Sequence, residues 1–335
     1  MKAVTLTATG GPEVLRYEDV PDPTPADDQV VVRVRACGVC GHDTADRAGL
    51  AHAPLPTVLG HEVCGEVVEV GAAVRAFRVG DLVAGKQFST CGRCLPCRSG
   101  DELSCAAKRF VYGGGAEYAA LDENTLLAVP DGTAPEAAAI TACAVGTCLR
   151  ALEDVGRLRP GETAVITGAG GGLGLHAVQV AAALGARVIA LTSSADKADL
   201  LGGYGAAEVV VSSGDTGAAL LELTGGRGAE LVLDNVGHPD VFSACFKALA
   251  RRGRYVLTGQ LYRQKISLYP AFVFFKEAVI TGSGSTLMST FMRAMDLVAS
   301  GAVRGVVQTF SLAEAHRAHQ AMEDRRVVGR AVLVP

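Results

Sequence analysis

The sequence predicts an α/β protein in which a strand-rich domain is joined to a doubly wound parallel-sheet domain. Short β-branched runs bounded by Gly, Pro and Asp dominate the first part of the chain. After Arg159-Pro160-Gly161, strand-like and helical runs alternate, which marks a parallel sheet covered by helices on both faces. The first strand of that series runs through a glycine-rich turn into a helix. A chain of 335 residues is also too long for one ordinary core.

Residues 30–35 (VVVRVR), 64–70 (CGEVVEV) and 81–84 read as strands, and 21–25 as a proline-rich turn. An Ala-rich stretch, 134–154, reads as a helix with Pro135 near its first turn. Next come a buried strand at 162–167 (ETAVIT), a helix at 173–184, a strand at 187–191 and a helix at 195–204. Strands at 208–211, 230–233 and 253–257 come after these, with a helix at 241–250 between the last two. Residues 277–281 form the last strand of this series. Helices at 287–299 and 312–322 and a strand at 330–334 return to the first domain. The strand-rich domain is thus expected over 1–144 and 284–335, and the parallel-sheet domain over 145–283.

The net charge is −4 with no block of like charges, so nothing marks a surface for nucleic acid or membrane. No apolar run approaches the roughly 18 residues of a membrane span. The start, MKAVTLTATGG, lacks the apolar region of a signal peptide and enters a strand-like pattern directly. A soluble cytoplasmic protein is expected, with its ten cysteines reduced.

Cys91, Cys94, Cys97 and Cys105 read C-x2-C-x2-C-x7-C, the spacing of a closed tetrahedral zinc site. Thiolates are soft ligands that suit zinc. Disulfides are disfavoured by the long chain and its start, and a zinc ribbon gripping nucleic acid by the charge.

Gly168-Ala169-Gly170-Gly171-Gly172-Leu173-Gly174 lies between a predicted strand and a predicted helix. In that context glycines permit a tight turn, and the helix N-terminus offers N–H groups to a pyrophosphate. Thr192, Ser193 and Ser194, then Lys197, stand where an acid would receive the ribose 2′-OH of NAD. Hydroxyls and a cation, read as having no carboxylate beside them, suit a 2′-phosphate, so NADP(H) is expected over NAD(H).

Gly60-His61-Glu62 opens GHEVCGEVVEVGAAV, which matches G-H-E-x2-G-x5-G-x2-V at Gly60, His61, Glu62, Gly65, Gly71 and Val74. With Cys40, Cys143, the four-cysteine lobe and the glycine loop in order, the chain resembles the zinc-containing medium-chain dehydrogenase/reductase superfamily over essentially its whole length. The resemblance implies a GroES-like catalytic domain and a Rossmann domain. It implies a catalytic zinc on Cys40, His61 and Cys143, with Glu62 as a supporting or exchanging ligand and Asp43 orienting the histidine. Three protein ligands leave a position open, where zinc polarises a carbonyl for hydride exchange with nicotinamide. The same resemblance puts the nicotinamide and its ribose near Thr147, Val236, Thr258 and Gly259, with Ser283 and Arg330 as further contacts. Cys37 makes a C-x2-C with Cys40, but the resemblance leaves it structural. Cys64, Cys148 and Cys245 read as core thiols. His52, His316 and His319 read as surface residues, and His176 and His238 lie on the parallel-sheet domain with no role that the sequence assigns.

Two residues depart from the family pattern. Where alcohol dehydrogenases carry a Ser or Thr that starts a proton relay, this chain has His42, and where many end the relay with a histidine it has Ala45. Imidazole can serve as the proton donor in place of the hydroxyl, or it can bind an anionic part of the substrate. The first functional reading is therefore interconversion of an alcohol and an aldehyde or ketone. The second is reduction of an α,β-unsaturated carbonyl, because LTGQLYRQKISLYP, AVITGSGSTL and VGRAVLV keep the order seen in NADPH-dependent acryloyl-CoA reductases. A non-catalytic NADPH-binding protein is the third, disfavoured by the intact ligands. The apolar edge AVITGSG predicts a homodimer or homotetramer.

Overall fold

The computed structural model describes residues 1–212, 214–259 and 264–335. The chain divides into two compact units. One contains Met1–Gly146, Thr286–Gly301 and Gly305–Pro335, and the other Thr147–Ser285 and Ala302–Arg304.

The first unit is built on Gln29–Val39. Val30, Val32 and Val34 turn into the core, while Arg33 and Arg35 on the other face of the pleat meet Glu66 in solvent. This strand pairs antiparallel with Glu62–Val70, Tyr118–Asp122 and Arg330–Val334. Leu82–Gly85 and Leu126–Ala128 extend the sheet on one side and Val307–Ser311 on the other. Two register shifts between Gln29–Val39 and Glu62–Val70 bend the pair and leave Gly38 opposite Glu62. A smaller sheet joins Arg16–Asp19, Lys2–Leu6 and Thr57–Val58.

Two helices close this core by their spacing. Ala315, Ala318 and Ala321 recur every third residue on Ala315–Glu323 and face the valines of the sheet. Phe291, Ala294, Met295 and Val298 on Met288–Ala299 keep to the i, i+3, i+4, i+7 stripe. Phe291 and Met295 pack on Ala138, Ile140, Ala142 and Ala144.

The second unit holds six parallel strands. Their order is Glu208–Val211, Arg187–Thr192, Thr163–Thr167, Ala229–Asp234, Leu249–Leu257 and Val279–Gly282. The central strands are continuous apolar runs because both faces are covered. The order reverses beside Thr163–Thr167, which places the glycine turn at the topological switch point.

Several expectations are corrected. The stretch 134–154 is helical, but it forms α-helix only over Pro135–Ile140 and Thr147–Leu149, with wider π turns at Thr141–Gly146 and Arg150–Val155. The helix expected at 241–250 spans Pro239–Lys247, since Leu249 already pairs with Ala229. Helices Thr216–Leu223 and Pro270–Lys276 and strand Val307–Ser311 carried no clear periodic signal. Among the described residues no helix is long and apolar enough to cross a membrane.

His319, expected at the surface, is 3% exposed, and its Nδ1 has no hydrogen-bond partner. Burial, against the pull of Asp43, lowers its pKa to about 4. A base depressed on folding binds its proton more readily in the unfolded chain. Stability is therefore complete above about pH 6.5 and is lost as pH falls towards 4, by about 3 kcal/mol. His319→Leu should flatten this part of the pH–stability curve in urea unfolding; an unchanged slope would show that His319 is not its source.

Candidate active site

Strand Gln29–Val39 delivers Cys40 to the N-cap of the short helix Gly41–Arg47. Asp43, at the third helical position, accepts a hydrogen bond from the Cys40 N–H at Oδ2 (2.8 Å) and from the Gly60 N–H at Oδ1 (3.2 Å). The same Oδ1 lies 3.3 Å from His61 Nδ1. One carboxylate, 1% exposed, therefore ties the Cys40 turn to the strand that carries His61 and Glu62. Cys143 arrives from the π turn Thr141–Gly146, with its Sγ 3.8 Å from Cys40 Sγ.

Ligand atoms of Cys40, His61, Glu62 and Cys143 all lie within 4.8 Å of one another. Glu62 is wholly buried, and neither of its oxygens accepts a hydrogen bond. Gly38 makes room for it: a Cβ there would lie 2.1 Å from Glu62 Oε2. Arg330 is buried alongside, with Nε 3.3 Å from Glu62 Oε2 and Nη2 3.8 Å from Cys143 Sγ. Two sulfurs, an imidazole and a buried carboxylate that accepts no well-aligned hydrogen bond fit a divalent, borderline-soft cation. Cys37 points away from the set and packs as a buried thiol.

The charges reflect this packing. Burial pushes the Asp43 carboxyl up, but the His61 charge and its hydrogen bonds outweigh that and hold it at about 2. Burial dominates at Glu62 and lifts it to about 7 against the pull of Arg330. The hydrogen bond from Cys143 holds Cys40 well below the usual thiol range. Thiolate at Cys40 is the state a metal needs.

His42 stands next to this set. Its ring centroid is 6.0 Å from that of His61, edge-on, and Phe110 packs against both imidazoles at 4.5 and 4.7 Å. His42 Nε2 lies 3.4 Å from Asp46 Oδ2, one helical turn on, and Tyr112 donates its hydroxyl to the same oxygen at 3.1 Å. Sequence reasoning missed Asp46, Phe110 and Tyr112. The i, i+4 spacing of His42 and Asp46 was a readable signal; the aromatic pair had none.

In the lobe, Cys94 and Cys97 Sγ lie 3.4 Å apart, Cys91 and Cys105 3.6 Å, and Cys91 and Cys97 4.0 Å. The four sulfurs form a second candidate metal set. Backbone N–H groups of Arg93 and Cys94 lower the Cys91 thiol to about 6. Glu102 anchors the lobe by accepting the Met288 N–H (2.6 Å) and pairing with buried Lys86 (3.1 Å).

In the second unit the glycine turn joins Thr163–Thr167 to helix Gly174–Ala183. A Cβ at Gly174 would lie 2.1 Å from Gly168 O, so only glycine lets the helix start this close. Val236 sits against Gly168, and Thr258 donates to Asn235 Oδ1 at 2.6 Å. A Cβ at Gly259 would meet Asn235 O. Asp234, which the sequence did not single out, organises this end. It accepts from Thr167 Oγ1, Tyr255 OH, and the Val236 and Gly237 N–H groups at 2.8 to 3.1 Å. Thr192 Oγ1 accepts the Ser194 N–H, and Lys197 Nζ donates to Gly170 O at 3.3 Å. Ser193 is exposed, and so is Asp196 on the same turn, which corrects the expectation that no carboxylate stands beside the hydroxyls. Gly171, Gly172 and Leu173 complete the turn. Thr147 and Ser283 are buried, and Arg150 donates to Ser283 at 3.4 Å.

The description of one matching family model is an alcohol dehydrogenase GroES-like domain, over residues 26–131, and of the other a zinc-binding dehydrogenase, over 172–300. Acryloyl-coenzyme A reductase of Metallosphaera sedula is 34% identical over 99% of both chains. NAD-dependent alcohol dehydrogenase of Sulfurisphaera tokodaii is 34% identical over 100% of both. The crystal structure of AibC superposes with a TM-score of 0.93 at 40% identity, covering 100% of this chain and 96% of that one. The two modules are those of a dehydrogenase-type oxidoreductase. The chain belongs to the zinc-containing medium-chain dehydrogenase/reductase superfamily.

Proposed function

We propose that this chain is a zinc-dependent NADP(H)-linked oxidoreductase that moves hydride between nicotinamide C4 and an alcohol/carbonyl pair. The observation that carries the reading is the buried Cys40, His61, Glu62 and Cys143 set with Asp43 locked onto His61. In this reading Cys40, His61 and Cys143 hold the catalytic zinc with Glu62 in support, and Cys91, Cys94, Cys97 and Cys105 hold a structural one. When bound, zinc supplies Lewis-acid polarisation of the substrate oxygen, and the nicotinamide supplies or takes the hydride. Asp43 fixes the His61 ring through Nδ1 and so turns Nε2 to the metal position. His42 stands in for the family's relay hydroxyl and meets the hydrogen on the substrate oxygen. Phe110, against both imidazoles, keeps water from that side.

A second reading is conjugate reduction of an α,β-unsaturated carbonyl. It is favoured by His42 in place of a hydroxyl and by the relative named acryloyl-coenzyme A reductase. Part of the segment that suggested it, residues 260–263, lies outside the described residues. NADPH deuterated at the transferable position, offered with enals and enones, separates the two. Label on the carbonyl carbon, giving the allylic alcohol, is the expected result; label on the β-carbon makes the chain a conjugate reductase.

For the cofactor, Lys197 beside Gly170, with Thr192, Ser193 and Ser194, supports a 2′-phosphate pocket. The turn and strand ends named above would cradle the rest of NADP(H). KM should be lower for NADPH than for NADH, and Lys197→Ala should raise only the NADPH value, by roughly tenfold. Equal KM values in the parent protein would remove the pocket.

We also propose a homodimer or homotetramer. Val279–Gly282 ends its sheet with Val279 exposed, and the neighbouring helix exposes Phe272, Phe274 and Phe275. A monomer by light scattering would overturn this.

A further inference from the structure

His42, Asp46, Tyr112 and Phe110 form a closed circuit that the assigned metal and cofactor positions do not use. Asp46 lies on the helix face one turn from His42, where i and i+4 side chains meet. Its side chain is fully buried, whereas that of His42 is 45% exposed. One edge of the imidazole is therefore turned to a buried carboxylate, and the rest of the ring is open. Tyr112 closes the circuit, with its hydroxyl on Asp46 Oδ2 and its ring 5.1 Å from Phe110, which in turn packs on His42 at 4.5 Å. A buried acceptor that already receives one hydrogen bond at Oδ2 has a clear preference for the second: it takes an N–H and repels a bare ring nitrogen.

We propose that Asp46 is a positioning residue which, steadied by Tyr112, holds the Nε2–H edge of His42 and leaves Nδ1 as the acceptor for a substrate hydroxyl. The proposal rests on the reading that His42 meets the substrate oxygen. It deepens that reading by fixing which nitrogen does so and why an imidazole can replace a hydroxyl here. A freely rotating histidine would divide its time between tautomers and ring flips. A histidine pinned by a buried carboxylate presents one nitrogen in one direction, the arrangement that hydrogen bonding at the other ring nitrogen normally sets. The 3.4 Å separation places the two groups in ion-pair contact across one helical turn.

The test uses the zinc-loaded full chain with 15N-labelled histidine. His42 is assigned by loss of its signals in His42→Gln. In the parent protein the Nδ1 and Nε2 shifts should report a dominant Nε2–H tautomer. Asp46→Asn, nearly isosteric, offers an N–H where the acceptor stood and should move His42 towards the Nδ1–H form. It should also lower kcat for alcohol oxidation about 10- to 100-fold with little change in KM. Tyr112→Phe should keep the fold and shift the tautomer in the same direction, with a smaller loss of kcat. An unchanged His42 tautomer in both variants overturns the proposal, and so does a kcat within twofold of the parent in Asp46→Asn at full zinc content. If the parent protein turns over no alcohol or carbonyl, the functional reading fails by itself, and the tautomer shift still decides whether Asp46 holds His42.

Discussion

Asp43 accepts the Cys40 N–H and the Gly60 N–H and lies 3.3 Å from His61 Nδ1, while only 1% of it reaches solvent. A carboxylate buried this deeply persists only if every lone pair it exposes is used. Cys40 caps a helix and Gly60 and His61 lead into strand Glu62–Val70, so satisfying Asp43 brings that cap and that segment together. Cys40 and His61 are thereby brought to one place.

Backbone shape brings the other two members of the set. Glu62 enters because its partner across the strand pair is Gly38, which has no side chain to exclude a buried carboxylate. Cys143 enters because the helical ladder widens to π over Thr141–Gly146. Such a bulge inserts an extra residue into the turn and rotates the next turn of the helix about its axis, and it recurs where helices carry functional side chains. Helix Met288–Ala299, packing Phe291 and Met295 against this stretch, keeps the widened turn in position.

The second unit repeats the logic with Asp234. Four hydrogen bonds converge on its carboxylate at the switch point of the sheet. They join the ends of Thr163–Thr167, Ala229–Asp234 and Leu249–Leu257, the three strands from which a dinucleotide would be contacted. In both units a buried acid at a strand end or in a helix's first turn ties neighbouring segments together.

The sequence by itself determined the α/β class, the glycine turn, the four-cysteine spacing and the departure at His42, while Cys40, His61 and Cys143 were grouped only through the family resemblance. Thiol spacing and a Gly run between a strand and a helix are chemistry local in the chain; the His-Glu pair in its fixed pattern carries the resemblance. Tertiary structure decided what depends on residues distant in the chain. His319 looked like a surface histidine on a polar helix, yet it is buried on the face that carries Ala315, one turn before it, and Ala318. The Ala-rich stretch looked like one regular helix, because helix propensity does not distinguish an α from a π turn. Phe110 and Tyr112 gave no signal at all. Their meaning comes only from standing against His42 and Asp46, more than sixty residues earlier. Periodicity reports which face of an element is buried; it carries no record of which side chain from elsewhere in the chain covers it.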